Sequence, residues 1–108
     1  LVARSDKNDI IMACIPGDDE LDLKKLAKAS NHKKMEMIHL KELQPLTGYI
    51  KGGCSPLGAK KDYPVYIDET ALNWEKIAVS AGIRGGQIII KPQDLINATN
   101  ATVAALTK

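Results

Sequence analysis

The sequence predicts an α/β domain built on a mixed, strongly bent β-sheet that approaches a barrel and carries a few short helices on its flanks. Three observations lead there. Short apolar runs recur along the chain and outnumber the stretches of helical period. The helical stretches that do occur are short. The strand-like runs do not alternate regularly with helices, as the βαβ units of a parallel, doubly wound sheet require.

Each element has its own signal. Residues 1–3 and 9–15 read as two apolar strands joined by the polar turn 4–8, together a buried hairpin. Pro16-Gly17 ends the second strand. A helix over about residues 21–29 follows, with Leu23, Leu26 and Ala27 at helical spacing. Asp18, Asp19 and Glu20 form an acidic start suited to the positive end of its dipole, and Ser30-Asn31 closes it. Residues 35–38 alternate as a short strand, and residues 40–43 make a helical turn that Pro45 should end. Tyr49-Ile50 is expected to be a strand leading into a glycine-rich loop. Residues 63–68 read as a strand with Pro64 at its start or on an edge, and residues 69–74 as a turn or short helix. Residues 75–80 and 87–90 read as two strands joined through the second glycine cluster at 81–86. The last helix begins at Lys91-Pro92, with proline in the first turn and Asp94 near the positive end.

Size and composition bound the answer. The 108 residues suffice for one domain with a core of its own and not for two, so residues 1–108 are expected to form a single domain. Hydrophobic residues make up 44%, and no apolar run approaches the roughly 18 residues needed to span a membrane. A soluble, cytoplasmic protein without a membrane partner is expected. There is no Phe, and Trp74, Tyr49, Tyr63 and Tyr66 are the only aromatic residues. The core is therefore aliphatic, and base stacking on an aromatic platform is not the favoured contact with RNA. A net charge of +2 permits nucleic-acid contact without demanding it. The lysines at 24, 25 and 28, at 33 and 34, and at 60 and 61 fit either solvated faces or a surface that follows phosphates. Cys14 and Cys54 form no Cys-x-x-Cys pair, and His32 and His39 lack partners at ligand spacing. A reduced, intracellular protein with no metal and no cofactor is expected. Leu1-Val2-Ala3 reads as a strand already in progress, without an initiator Met, so the natural N-terminus is expected to lie upstream.

The chemistry concentrates in residues 47–61, Thr-Gly-Tyr-Ile-Lys-Gly-Gly-Cys-Ser-Pro-Leu-Gly-Ala-Lys-Lys. Gly52 and Gly53 let another group approach the backbone closely, and Pro56 fixes the chain. The main-chain N–H groups of Gly52, Gly53 and Cys54, with Ser55, could line a small concave site. Lys51, Lys60 and Lys61 put positive charge on both flanks, which suits a phosphate-bearing partner. The spacing matches neither the Walker loop nor the dinucleotide fingerprint. On chemistry alone the loop reads also as a tight connection between elements.

The motif Thr47-Gly48-Tyr49, then Gly52-Gly53-Cys54-Ser55-Pro56-Leu57-Gly58 with Lys60-Lys61 behind it, resembles the signature loop of the YbaK/EbsC family of trans-editing aminoacyl-tRNA deacylases. Ile67-Asp68-Glu69-Thr70-Ala71-Leu72, Val79-Ser80-Ala81-Gly82-Ile83-Arg84-Gly85 and Pro92-Gln93-Asp94-Leu95 are similar to it in the same order. So, upstream, are Leu23-Lys24-Lys25-Leu26-Ala27-Lys28 and Lys33-Lys34-Met35-Glu36-Met37. The resemblance covers nearly the whole chain. It implies a YbaK-like editing-domain fold and hydrolysis of a mischarged aminoacyl-tRNA, Cys-tRNA(Pro) first, with tRNA and prolyl-tRNA synthetase as partners. Ala-tRNA(Pro) is the nearest other substrate, and a non-catalytic module binding tRNA or the synthetase is the reading from a different class.

No Ser/His/Asp or Cys/His arrangement stands out from the residues, and Ser55 and Ser80 lack an obvious base. This agrees with the chemistry the resemblance implies. There the protein supplies a shaped pocket and backbone hydrogen bonds, and in cysteine-specific members the substrate's own thiol attacks the ester. On that reading Gly52, Gly53 and Cys54 stand beside the scissile carbonyl, while Tyr49, Ser55, Pro56, Ser80 and Gly82 shape the substrate pocket. Cys54 contributes its main-chain N–H, since a reactive thiolate would need more nearby positive charge than Lys51 supplies. Family members also carry an essential lysine just before the strand that corresponds to residues 1–3, which here would fall upstream of Leu1.

Overall fold

The chain begins with the expected hairpin. In the computed structural model, which describes residues 1–49, 55–57, 63–83 and 85–108, β1 (Val2–Ser5) and β2 (Ile10–Cys14) pair antiparallel, with Val2 opposite Met12 and Arg4 opposite Ile10. The Ser5 side chain folds the turn: its Oγ accepts the N–H groups of Lys7 at 3.1 Å and Asp9 at 3.0 Å. Helix α1 (Leu23–Ala29) is capped by Asp22, whose Oδ1 accepts from the backbone N–H groups of Lys24 at 2.9 Å and Lys25 at 3.1 Å. The acidic run Asp18, Asp19 and Glu20 therefore lies ahead of the helix, and no acidic residue occupies its first turn. The reason is local. Asp19 N–H closes a turn onto the Pro16 carbonyl at 3.1 Å, and the Glu20 carbonyl accepts the Lys108 N–H at 3.1 Å, so both are engaged outside the helix.

β3 (Met35–Met37) adds antiparallel to the other edge of β1. Helix α2 (Leu40–Thr47) runs through Pro45 where the sequence predicts an end. Interior proline removes a hydrogen bond and crowds the preceding turn. The helix survives because both ends are fastened. Glu42 accepts the N–H of His39 at 3.1 Å and bonds the Arg4 guanidinium at 3.1 Å, and Tyr63 OH donates to the Leu46 carbonyl at 2.6 Å. Pro45 is exposed, so Pro45→Ala is expected to stabilise the protein by about 1 kcal/mol, the helix gain less the lost rigidity of the unfolded chain. A thermal melt that falls instead would mean the ring is needed where it stands.

After α2 come β4 (Val65–Asp68), a 3₁₀ turn at Glu69–Asn73, the hairpin of β5 (Ile77–Ser80) and β6 (Gln87–Ile90), helix α3 (Pro92–Thr99) with Pro92 in its first turn, and β7 (Thr102–Ala104). β4 lies parallel to both β2 and β7, which makes the five-stranded sheet mixed, in the order β3-β1-β2-β4-β7. The expected approach to a barrel is not completed. Among the described residues β3 and β7 are open edges, and β5–β6 forms a separate two-stranded ribbon. β7 was not expected from the sequence, because its three residues follow the helix directly, across the left-handed Asn100.

Alternation along the strands puts a core on each face of the sheet. Ala3, Ile11 and Ala13 pack with Leu26 and Ala27 of α1, Met35 and Leu106. Val2, Met12 and Val65 face the other way, toward Leu43 of α2, Tyr63 and Ala101. Complete burial of one such leucine contributes about 1.5–3 kcal/mol. No helix among the described residues is long and apolar enough to cross a membrane.

Candidate functional site

The end of α2 sets the site. Thr47 is buried and its Oγ1 donates to the Leu43 carbonyl at 2.7 Å, while Gly48 takes a left-handed φ of 82° and returns its N–H to Gln44 at 2.8 Å. The chain thus leaves the helix in a sharp bend, and Tyr49 lies outside any strand, a correction to the expectation for Tyr49-Ile50. Its N–H donates to Thr47 Oγ1 at 3.1 Å, which fixes the backbone from which the ring projects. At the far end of the ring the phenol donates to the Leu57 carbonyl.

That bond reaches a small built turn. Ser55 is buried and its Oγ accepts the Leu57 N–H at 3.2 Å across Pro56. On another side of the same ring stands the β5–β6 connection. Gly82 has φ +92°, and a Cβ placed on it would lie 2.9 Å from Tyr49 Cε1. Ser80 holds this second turn by accepting the Gly82 N–H at 3.3 Å. The two distant stretches the sequence points to, with Ser55 and Pro56 in one and Ser80 and Gly82 in the other, thereby meet the Tyr49 ring through the Leu57 carbonyl and Gly82. Gly52, Gly53 and Cys54 lie outside the described residues.

The two serine hydroxyls do the same job, each accepting a backbone N–H two residues ahead and so shaping a turn. The imidazole of His32 is engaged elsewhere, Nδ1 with Ser30 Oγ at 2.9 Å and Nε2 with Asp9 Oδ2 at 3.1 Å, tying α1 to the first hairpin. Among the described residues no base is bonded to either serine hydroxyl.

One feature near this region was missed in the sequence. A cavity of about 160 Å³ opens beyond the C-terminal ends of the parallel strands β2 and β4, lined by Cys14, Ile67, Asp68, Trp74, Ile77 and Val79. Carboxyl ends of parallel strands are where open α/β sheets leave crevices. The signal available was Trp74, the only tryptophan, standing 66% exposed at the rim. Asp68 is buried there: burial raises its carboxyl pKa, but hydrogen bonds from Thr70 and the Leu106 N–H outweigh this and hold it below the usual range. Lys24, Lys25 and Lys28 are exposed on α1, across the sheet from α2, so they do not join Tyr49 and Gly82.

Comparison with known proteins agrees with this geometry. The family described as the aminoacyl-tRNA editing domain matches residues 1–98. EbsC of Enterococcus faecalis, named as a candidate Cys-tRNA(Pro)/Cys-tRNA(Cys) deacylase, is 52% identical over 107 residues, covering 99% of this chain and 65% of its own length. The chain thus spans a little under two thirds of that relative. A proline–tRNA ligase of Campylobacter hominis is 31% identical over 84 residues, 78% of this chain and only 15% of the ligase. The crystal structure of a candidate trans-editing enzyme for prolyl-tRNA synthetase superposes with a TM-score of 0.91 at 27% identity, covering all of this chain and 68% of the other.

Proposed function

The chain belongs to the aminoacyl-tRNA editing domain family, and from that premise we propose that it hydrolyses mischarged aminoacyl-tRNA, Cys-tRNA(Pro) first among substrates. The likeness to EbsC across nearly the whole chain is the observation that carries this reading, and the partners on the same reading are tRNA and prolyl-tRNA synthetase. The matched segment of a proline–tRNA ligase supports the choice of synthetase.

The protein supplies position and hydrogen bonds and no nucleophile of its own. In a cysteinyl ester the substrate's thiol sulfur attacks the ester carbonyl, the carbonyl oxygen gathers negative charge, and the ribose oxygen leaves with a proton. Water then releases the free amino acid. The main-chain N–H groups of Gly52, Gly53 and Cys54 stabilise the oxyanion, a large source of rate when the donors are fixed beforehand. Ser55 and Pro56 shape that loop, and Ser80 with Gly82 forms the opposing wall. Both hydroxyls being committed to turns supports a shaping role over a nucleophilic one.

The test is release of amino acid from cysteinyl-, alanyl- and prolyl-tRNA(Pro) and from Cys-tRNA(Cys) by the full-length protein. Release of cysteine with alanine and proline retained is the expected result. Alanine release in place of cysteine would keep the deacylase and overturn the substrate, and no release from any of the four, with tRNA still bound, would leave a binding module.

A further inference from the structure

We propose that Tyr49 is a positioning residue that sets the distance between the two walls of the site, and that it does not itself bind the substrate. The inference rests on the editing reading for its catalytic arm and on geometry alone for its structural arm. Both hydrogen-bond donors of Tyr49 are engaged within the protein. Its N–H is bound to Thr47 Oγ1, itself anchored to the Leu43 carbonyl inside α2, and its phenol donates to the Leu57 carbonyl. One side chain thus runs as a strut from the rigid end of a helix to the turn at residues 55–57. The side of the strut rests on Gly82, which has room for the ring only because it has no Cβ.

Among the described residues two side-chain bonds hold the turn that Tyr49 meets, the Leu57 N–H on Ser55 Oγ at 3.2 Å and the phenol on the Leu57 carbonyl. Ser55 follows Cys54 directly in the chain, so on the editing reading a shift of the turn carries over to the backbone that would meet the scissile carbonyl. A site that works by holding a carbonyl against fixed donors is sensitive to such shifts, and a misplacement of about 1 Å can cost about a hundredfold in rate.

Tyr49→Phe separates the parts, since it keeps the ring over Gly82 and removes only the phenol. Amide hydrogen exchange at Leu57, whose N–H belongs to the turn, is expected to quicken about three- to tenfold, the size of one ordinary hydrogen bond. Exchange in the hairpin of β1 and β2 should stay as it was. In deacylation assays kcat should fall several-fold with KM nearly unchanged, because an interaction that only positions is lost. Tyr49→Leu, which removes ring and phenol, should add faster exchange at Gly82, whereas Tyr49→Phe should not. Unchanged exchange at Leu57 in the phenylalanine variant would overturn the proposal. So would a rise in KM with kcat untouched, which would return Tyr49 to substrate contact. If the wild type deacylates nothing, the editing reading fails while the exchange measurement still decides whether Tyr49 is the strut.

Discussion

Gly82→Ala is expected to lower stability by about 2–3 kcal/mol and to cut deacylation about a hundredfold. Two independent costs combine. At φ +92° an L-residue loses about 1–2 kcal/mol relative to glycine, whatever surrounds it. The new methyl would also lie 2.9 Å from Tyr49 Cε1, so ring or hairpin must move, and moving the ring gives up the phenol bond to Leu57, worth about 0.5–1.5 kcal/mol. The loss of activity comes from the second cost, through misplacement of the turn at residues 55–57. Gly85→Ala is the matched control: its φ of +80° imposes the same backbone penalty, but nothing lies within 4 Å of where its Cβ would stand. Its thermal midpoint should drop by several degrees while deacylation remains. Equal activity losses in the two variants would show that the hairpin backbone, and not the contact with Tyr49, matters.

That pair of glycines also shows what a sequence can and cannot disclose. By residue type alone both read as punctuation in the second glycine cluster, and the resemblance that singles out Gly82 gives no physical reason for it. What separates them is a tyrosine 33 positions away from Gly82, brought there by the left-handed cap at Gly48. Local signals served well where local chemistry decides. The first hairpin, β3, the 3₁₀ turn and the β5–β6 pair stand where alternation and turn residues predict them, and Pro92 opens α3 as its fixed φ requires. They failed where a tertiary contact overrides a propensity. Pro45 should have ended α2, but Glu42, Arg4 and Tyr63 hold the helix beyond it. Three residues of β7 carry too little pattern to be seen, and only their place beside β4 makes them a strand. Openness of the sheet was equally invisible, because strand-like runs look the same whether the last strand reaches the first or not. At the candidate site the members were legible and their arrangement was not. Motif order points to Tyr49 and to Gly82 separately, and the ring that joins them belongs to the fold.

Asp68→Ala is expected to cost about 2–4 kcal/mol, although the sequence offers Asp68 only as the end of a strand and one member of a family-like motif, with no role of its own. Its carboxylate is 2% exposed and fully occupied: one oxygen accepts the Leu106 N–H at 2.8 Å, and the other accepts the N–H of Thr70 at 3.1 Å together with the Thr70 hydroxyl. A single side chain therefore starts the 3₁₀ turn and fastens the segment after β7 to the end of β4. Alanine would leave the buried Leu106 N–H without its acceptor, about 1–3 kcal/mol, and would remove a cap worth about 1 kcal/mol. The same contacts fix the pH dependence. Burial raises the carboxyl pKa, but the hydrogen bonds from Thr70 and Leu106 win and the folded value lies below the ordinary one. The folded protein thus binds this proton less readily than the unfolded chain does. The contribution of Asp68 is fully present above the unfolded pKa of about 4, and it is lost as pH falls through the depressed folded value. Denaturant melts of wild type and Asp68→Asn from pH 7 down to pH 2 should converge, since asparagine keeps the shape and cannot titrate. A gap that stays constant over that range would place the acid sensitivity of the fold at another carboxylate. Among the described residues the other carboxylate held below its ordinary range is Glu42, kept low by its bond to Arg4 and expected to add little to the slope because the pair is partly open to solvent.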